Sequence, residues 1–374
     1  MARRGNGEGS IIRRSDGRWC AALSLEGGRR KFIYGRTRHD VAESMAAALR
    51  DREHGMLLTS RPQTFGQFLA RWLEDSVRPT VRPKTYTSYS QLVRVHIEPA
   101  LGAVPLAKLD PLRVQRFLND KLQEGRISAR TVQYLHAVLR AALGQAMKWR
   151  LVQVNVATLV DPPRVERPEV PSVSPADART LLDATHGDRL EALYTLALAV
   201  GLRQGEALGL HWQDVDLEGG ILRVRVALQR LDGRGLICVE PKTFRSRRSV
   251  ALPPQVVESL RMHKSRQAQE RLLAGARWQD TGLVFTTLAG GPLEGSSITH
   301  RFQKLLQRAG LPRLRFHDLR HACASLLLAQ GVHPRVVMET LGHSQISLTM
   351  NTYSHVIPAL QRDAAERMDA LLAR

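Results

Sequence analysis

His317-Asp318-Leu319-Arg320-His321-Ala322-Cys323-Ala324-Ser325-Leu326-Leu327 reads as the start of a helix in which packing and chemistry alternate. Leu319, Cys323, Leu326 and Leu327 form its apolar face, which is predicted to dock on a core. Residues three apart share a side of a helix, so His317 and Arg320 are expected to reach one ligand while Leu319 anchors the turn between them. A histidine at a helix start is ordinarily a cap or a surface residue. The arginine one turn on makes this one informative, and His321 reads as support for the helix.

Working outward, Gly201-Leu202-Arg203-Gln204-Gly205-Glu206 follows an apolar helix predicted over Leu190–Val200 and ended by Gly201. Arg203 and Arg320 can each donate two parallel hydrogen bonds to an oxyanion, and neither loses its proton. Glu206, one turn beyond Arg203, is expected to steady the next helix or the arginine itself. Pro241-Lys242-Thr243 falls in a turn between strands predicted over Leu236–Glu240 and Arg247–Leu252, after another predicted over Ile221–Gln229. Beside two arginines the Lys242 ammonium is expected to have a lowered pKa, which suits proton donation. In Leu341-Gly342-His343-Ser344, Gly342 is predicted to end a helix in the left-handed conformation, leaving the His343 imidazole to donate to an oxygen. Asn351-Thr352-Tyr353-Ser354-His355 then places a tyrosine in a context that the other five tyrosines lack. Five groups able to grip a phosphate thus accompany one phenol able to attack it. A phenol with a pKa of ~10 is a poor nucleophile while protonated. Nearby cations favour its phenolate, and His317 is the candidate proton acceptor.

This set (Arg203, Lys242, His317, Arg320, His343 and Tyr353) resembles the active site of tyrosine recombinases, the phage integrase family, in order, spacing and flanking residues. Upstream, Thr85-Tyr86, His96-Ile97-Glu98-Pro99-Ala100-Leu101-Gly102 and Trp149-Arg150-Leu151-Val152 are similar to that family's helical, SAM-like core-binding domain. One departure is Asn155-Val156, where the family usually has Asn-Pro; it touches only the domain exit. The resemblance implies that Tyr353 attacks a scissile DNA phosphate, leaving a 3′-phosphotyrosyl bond and a free 5′ hydroxyl, with Lys242 as general acid. A second strand's 5′ hydroxyl then attacks that ester. Bond energy is conserved through both steps, so neither ATP, metal nor another cofactor is required. It further implies double-stranded DNA as partner, at core and arm sites, a homotetramer on synapsed DNA, and a host bending protein or directionality factor. The implied activity is integration and excision of a phage or mobile element. Alternatives are a resolving or inverting recombinase of a plasmid or transposon, a topoisomerase of the same chemistry, and a catalytically silent DNA-binding relative.

The expected fold class is multidomain α+β, in four segments. Residues 1–60 read as a three-stranded sheet plus a helix, similar to an arm-type DNA-binding domain. Ser15-Asp16-Gly17 supplies its hairpin turn, and Thr37 with Asp40 a capping box. Residues 64–158 read as the core-binding helical domain. Its four helices start near Phe65, Pro83, Pro111 and Ser128, and the second is expected to run to about Ile97, ended by Pro99 and Leu101-Gly102. Residues 159–173, rich in proline, read as an extended linker. Residues 174–374 read as the catalytic domain, mainly α with a small antiparallel sheet. It ends in a helix from Pro358 whose apolar face, with Leu360, Met368, Leu371 and Leu372, docks either on its own domain or on a neighbouring protomer.

Composition bounds the same reading. In 374 residues the formal net charge is +20, an excess that points to nucleic acid. Residues 61–165 carry 16 Lys/Arg against 7 Asp/Glu, making this the most basic segment per residue and the one expected to grip a DNA backbone. Cys20, Cys238 and Cys323 are far apart and suggest neither a disulfide framework nor a zinc site, so a reducing cytoplasm is expected. No apolar run reaches membrane length.

Overall fold

Capping residues start several elements of this chain. In the computed structural model the described residues are 10–24, 30–53, 63–165, 173–231, 233–240, 247–342, 365–366, 368–369 and 371–372. They divide into two compact units, Met1–Arg167 and Pro168–Arg374.

The first unit opens with a meander of antiparallel strands, β1 (Ser10–Arg13), β2 (Trp19–Ser24) and β3 (Arg30–Gly35). Helix α1 (Arg38–Glu53) packs on β2 and β3. Thr37 and Asp40 cap α1 reciprocally: each side-chain oxygen accepts from the other's backbone N–H, at 3.1 and 3.2 Å. Pairing register sets Ile12, Cys20 and Tyr34 in one row and Ala22 beside Phe32 in the next, on the same face. Ile12, Phe32 and Tyr34 are more than half exposed there. The Arg14 guanidinium lies 5.5 Å from the Tyr34 ring centroid.

The helical part of this unit runs α2 (Phe65–Trp72), α3 (Arg78–Thr80), α4 (Pro83–Leu92), α5 (Glu98–Leu101), α6 (Pro111–Gln123) and α7 (Ala129–Lys148). Thr64, Asp110 and Ser128 cap α2, α6 and α7. Phe65, Phe68, Leu69 and Trp72 are buried with the inner face of α7 in one apolar core. The second helix, expected to run to Ile97, continues past Pro99 to Leu101, where Gly102 caps it. Widened π turns at Leu73–Val77 and Val93–Ile97 carry the backbone onward into α3 and α5. Each ends two residues before a proline, Pro79 and Pro99. A proline has no N–H and collides with the carbonyl four residues back. In both turns carbonyls accept from five residues ahead instead, Arg78 N–H on Leu73 O and Glu98 N–H on Val93 O, so the helix bends past the proline without ending.

In the second unit α8 (Pro175–Thr185) starts with a reciprocal Ser174–Asp177 cap. Helix α9 (Glu191–Val200) is apolar on nearly every side and packs against α8, α11 (Pro254–Ala274) and α13 (Asp318–Ala329). Tyr194 on α9 is 1% exposed and stacks on Phe302 of α12 (Gly295–Arg308). Ile221–Gln229 is not one strand. It breaks into β5 (Ile221–Val224) and β6 (Ala227–Leu231), which serve different sheets. Strand β5 lies between β4 (Val215–Asp216) and β8 (Arg248–Ala251), while β6 pairs with β7 (Gly235–Val239). Short α10 (Gln204–Leu208) follows α9, and α14 (Pro334–Leu341) follows α13.

Candidate active site

The corner between α9 and α10 organises the candidate site. Gly201 ends α9 in the left-handed region, φ 67°, its N–H donating to Ala197 O. A Cβ there would lie 2.5 Å from Leu341 Cδ2 and 3.2 Å from Cys323 Sγ, so α13 and α14 close on the bare backbone. The chain therefore exposes the Gly201 carbonyl to the inner face of α13, and Arg320 Nη1 donates to it at 2.7 Å. Arg320 is 2% exposed. Burial at this depth fixes its guanidinium before any ligand arrives.

Two residues past Gly201, Arg203 stands at the start of α10. Both expectations for Glu206 hold. Its Oε2 accepts from the Arg203 N–H at 3.0 Å, capping α10, and its Oε1 accepts from Arg203 Nη1 at 2.6 Å. Arg203 Nη2 also donates to Gly342 O at 3.2 Å, across 139 residues of chain. The Arg203 side chain remains 39% exposed, whereas that of Glu206 is 4% exposed. The site thus opens to solvent on its Arg203 side.

A third guanidinium completes the corner. Arg248, the first residue of β8, donates from Nη2 to Glu206 Oε2 at 3.0 Å and from Nε to Thr340 O at 2.7 Å. Burial pushes the Glu206 carboxyl up, but Arg248 and then Arg203 outweigh it and hold Glu206 below the usual carboxylate range. Glu206 is therefore ionised at neutral pH. Two guanidiniums, Arg203 and Arg248, thus meet the Glu206 carboxylate here, with Arg320 anchored nearby on the Gly201 carbonyl. Arg248 is absent from the six-residue pattern. Its signal in the sequence is the two-residue alternation of β8, which turns Arg248 inward with Val250 while Ser249 and Ala251 are exposed.

His317 precedes the first turn of α13. Asp318 ties that turn down by accepting from the Arg315 N–H at 2.7 Å and from its guanidinium. The His317 and His321 rings meet edge to face, centroids 5.1 Å apart. Partial burial pushes the His317 pKa down to about 4, with His321, Arg320 and Arg203 acting in the same direction. The outer edge of His317 is open to water, which screens those charges. The direction suffices: its imidazole is neutral at pH 7 and can accept a proton. Burial likewise lowers His321.

The structure thus brings Arg203, Glu206, His317 and Arg320 to one corner. Lys242, His343 and Tyr353 lie outside the described residues, as do Pro358 and Leu360 of the expected last helix. Gly342 does end α14 left-handed, φ 68°. Its carbonyl on Arg203 sets the point from which the chain continues to His343. Met368, Leu371 and Leu372 are exposed. No helix among the described residues is long and apolar enough to cross a membrane, and none of their His, Cys, Asp and Glu side chains cluster to hold a metal.

Comparison with known proteins gives a consistent picture. Residues 172–359 match the model of the phage integrase family, and residues 64–122 match that of a phage integrase N-terminal SAM-like domain. The chain is 32% identical over 360 residues to a protein named tyrosine recombinase XerC-like from Caldanaerobacter subterraneus subsp. tengcongensis, spanning 91% of this chain and 92% of the other. It shares the fold of the Tn1549 transposon integrase solved with transposon right end DNA, with a TM-score of 0.70 at 22% identity over 83% of this chain and 100% of that one. A lambda integrase tetramer bound to a Holliday junction superposes with a TM-score of 0.57 at 16% identity, covering 94% and 96% of the two chains.

Proposed function

We propose, since this chain belongs to the phage integrase family, that it carries out site-specific DNA recombination with Tyr353 as nucleophile and with Arg203, Lys242, His317, Arg320 and His343 activating the scissile phosphate. The observation that carries the reading is the Gly201 corner, where Arg203 and Arg248 hold Glu206 between them and buried Arg320 is anchored on the Gly201 carbonyl. Guanidiniums held in place by the fold favour an anionic ligand. Their attraction strengthens as a pentavalent phosphorane accumulates charge, so they lower the barrier more than they tighten ground-state binding.

Each residue has a task in this reading. Arg320, already held by a backbone carbonyl, and Arg203, at the open edge, donate to the nonbridging oxygens. Neutral His317 accepts the phenol proton of Tyr353. The phenolate attacks phosphorus, the bond to the 5′ oxygen breaks, and Lys242 delivers the proton that this oxygen needs. His343 supplies a further donor. The 3′-phosphotyrosyl ester then waits for the 5′ hydroxyl of a second strand, and the reverse sequence releases Tyr353. Every bond broken is replaced by one of the same kind, so the cycle draws on no nucleotide hydrolysis.

The basic helical part (64–158) grips the duplex at the core site in this proposal, with the catalytic part (174–374) joined to it through residues 159–173. The exposed Ile12, Phe32 and Tyr34 face of the β1–β3 sheet, with Arg14 beside Tyr34, suits an arm site, since a three-stranded sheet fits the major groove. The working assembly is a tetramer on two synapsed duplexes, acting in the cytoplasm on the DNA of a phage or mobile element, with a bending protein or directionality factor setting its direction. The test is covalent capture on nicked duplexes tiled across the DNA that flanks the protein's own gene. The wild-type chain should give a protein–DNA adduct that survives denaturation, and Tyr353→Phe should bind the same DNA yet give none. Adducts persisting in Tyr353→Phe would assign the nucleophile elsewhere.

A further inference from the structure

We infer that Arg248 is a positioning residue that locks Arg203 and the end of α14 into one frame; the inference rests on the recombinase reading above. Arg248 lies outside the six-residue pattern, and its side chain is only 7% exposed. Its planar fork spans two elements at once, with Nη2 on Glu206 Oε2 at 3.0 Å and Nε on Thr340 O at 2.7 Å. Arg203 reaches the same two elements from the other side, with Nη1 on Glu206 Oε1 and Nη2 on Gly342 O. The contacts close a ring running from Arg203 through Glu206 and Arg248 to Thr340, then along the chain to Gly342 and back to Arg203.

Gly342 fits this ring for two reasons. Its φ of 68° is left-handed, and a Cβ there would lie 3.0 Å from Arg248 Nη1. Any side chain at that position would press on the fork. The ring fixes three points of the site relative to one another. Arg203 itself is one. The start of β8 is the second, and the chain reaches it directly after the segment that contains Lys242. The end of α14 is the third, and His343 is the next residue. A buried ion pair adds little net stability over a well-packed apolar pair. What it supplies here is alignment: the fork geometry allows only one relative placement of β8, α10 and α14.

Lysine at this position keeps the charge beside Glu206 but cannot hold both contacts, because it lacks the planar fork. Arg248→Lys is therefore the deciding variant, assayed for single-turnover adduct formation on the same tiled nicked duplexes, for DNA affinity and for thermal unfolding. Its rate at saturating DNA should fall roughly 10–100-fold, as for misplacements near 1 Å, with affinity within about threefold of wild type. A wild-type rate, or a loss of affinity that matches the loss of rate, overturns the inference. Should Arg248→Lys fail to fold, Glu206→Gln with and without Arg248→Met carries the test, since the buried carboxylate charge is then absent from both chains. Arg248→Met should still slow cleavage in that background, because the Thr340 contact is lost. Equal rates would show that Arg248 only balances the charge of Glu206. If the wild-type chain itself forms no adduct on any duplex, the recombinase reading fails and this inference falls with it.

Discussion

The helical part of the first unit and the Gly201 corner of the second use arginine in opposite ways. Every described arginine between residues 63 and 165 is exposed, over a core of apolar side chains in which Asn155 is the one buried polar residue among those described. At the corner Arg320 is buried, Arg248 nearly so, and Arg203 half-buried, each held by a carbonyl or by Glu206. Exposed arginines keep their rotamer freedom and suit many interchangeable phosphates along a duplex, which gives affinity and salt sensitivity. Arginines immobilised in advance suit one phosphate in one geometry, and their reorganisation cost is met when the chain folds. In the proposed recombinase the same residue type would therefore do two jobs, separated by burial and backbone anchoring.

Substitutions at the two places should give different losses. Arg320→Gln removes a fixed donor and should cut the single-turnover cleavage rate by about 10²–10³-fold while leaving DNA affinity nearly intact. An equal loss of both would erase the distinction. Gly201→Ala tests the frame beneath the corner. With φ at 67° and a methyl forced against Leu341, it should destabilise the protein by about 1–3 kcal/mol, read from the urea midpoint. A neutral result would mean that the close approach of α14 is not obligatory. The smallest effect belongs to the surface. Arg116→Ala in α6 should lower affinity a few-fold and reduce the slope of log K against log salt by about 1, slowing cleavage only as far as occupancy falls. An unchanged slope would place the duplex on another face.

How far the sequence could be read follows the same division. Helix starts were legible because capping acts locally: Thr37 and Asp40 form the expected box, and helices begin near Phe65, Pro111 and Ser128 as expected. The helix ends at Gly201 and Gly342 were legible for the same reason, and at Gly342 the left-handed conformation too. The course of the chain past Pro79 and Pro99 was not. Proline argues for a stop, and only the packing of Val77, Val93 and Ile97 into the shared core favours a widened turn instead. The break of Ile221–Gln229 into two strands also escaped, since its alternation runs on while its partners change from β8 to β7. In the site, Arg203, Glu206, His317 and Arg320 were legible as motif residues. Arg248 was not, because a single arginine within a strand resembles any solvated side chain until its partners, 42 and 92 residues away, are seen.

In the proposed reaction these cations converge on a phosphate attacked by one particular phenol. The direct measurement is to trap the wild-type protein on a nicked duplex from the flanking DNA, digest both components, and locate the residual nucleotide by mass spectrometry. A single peptide should carry it, through a 3′-phosphate ester on Tyr353. Attachment to any other residue, or no attached nucleotide, would contradict the account.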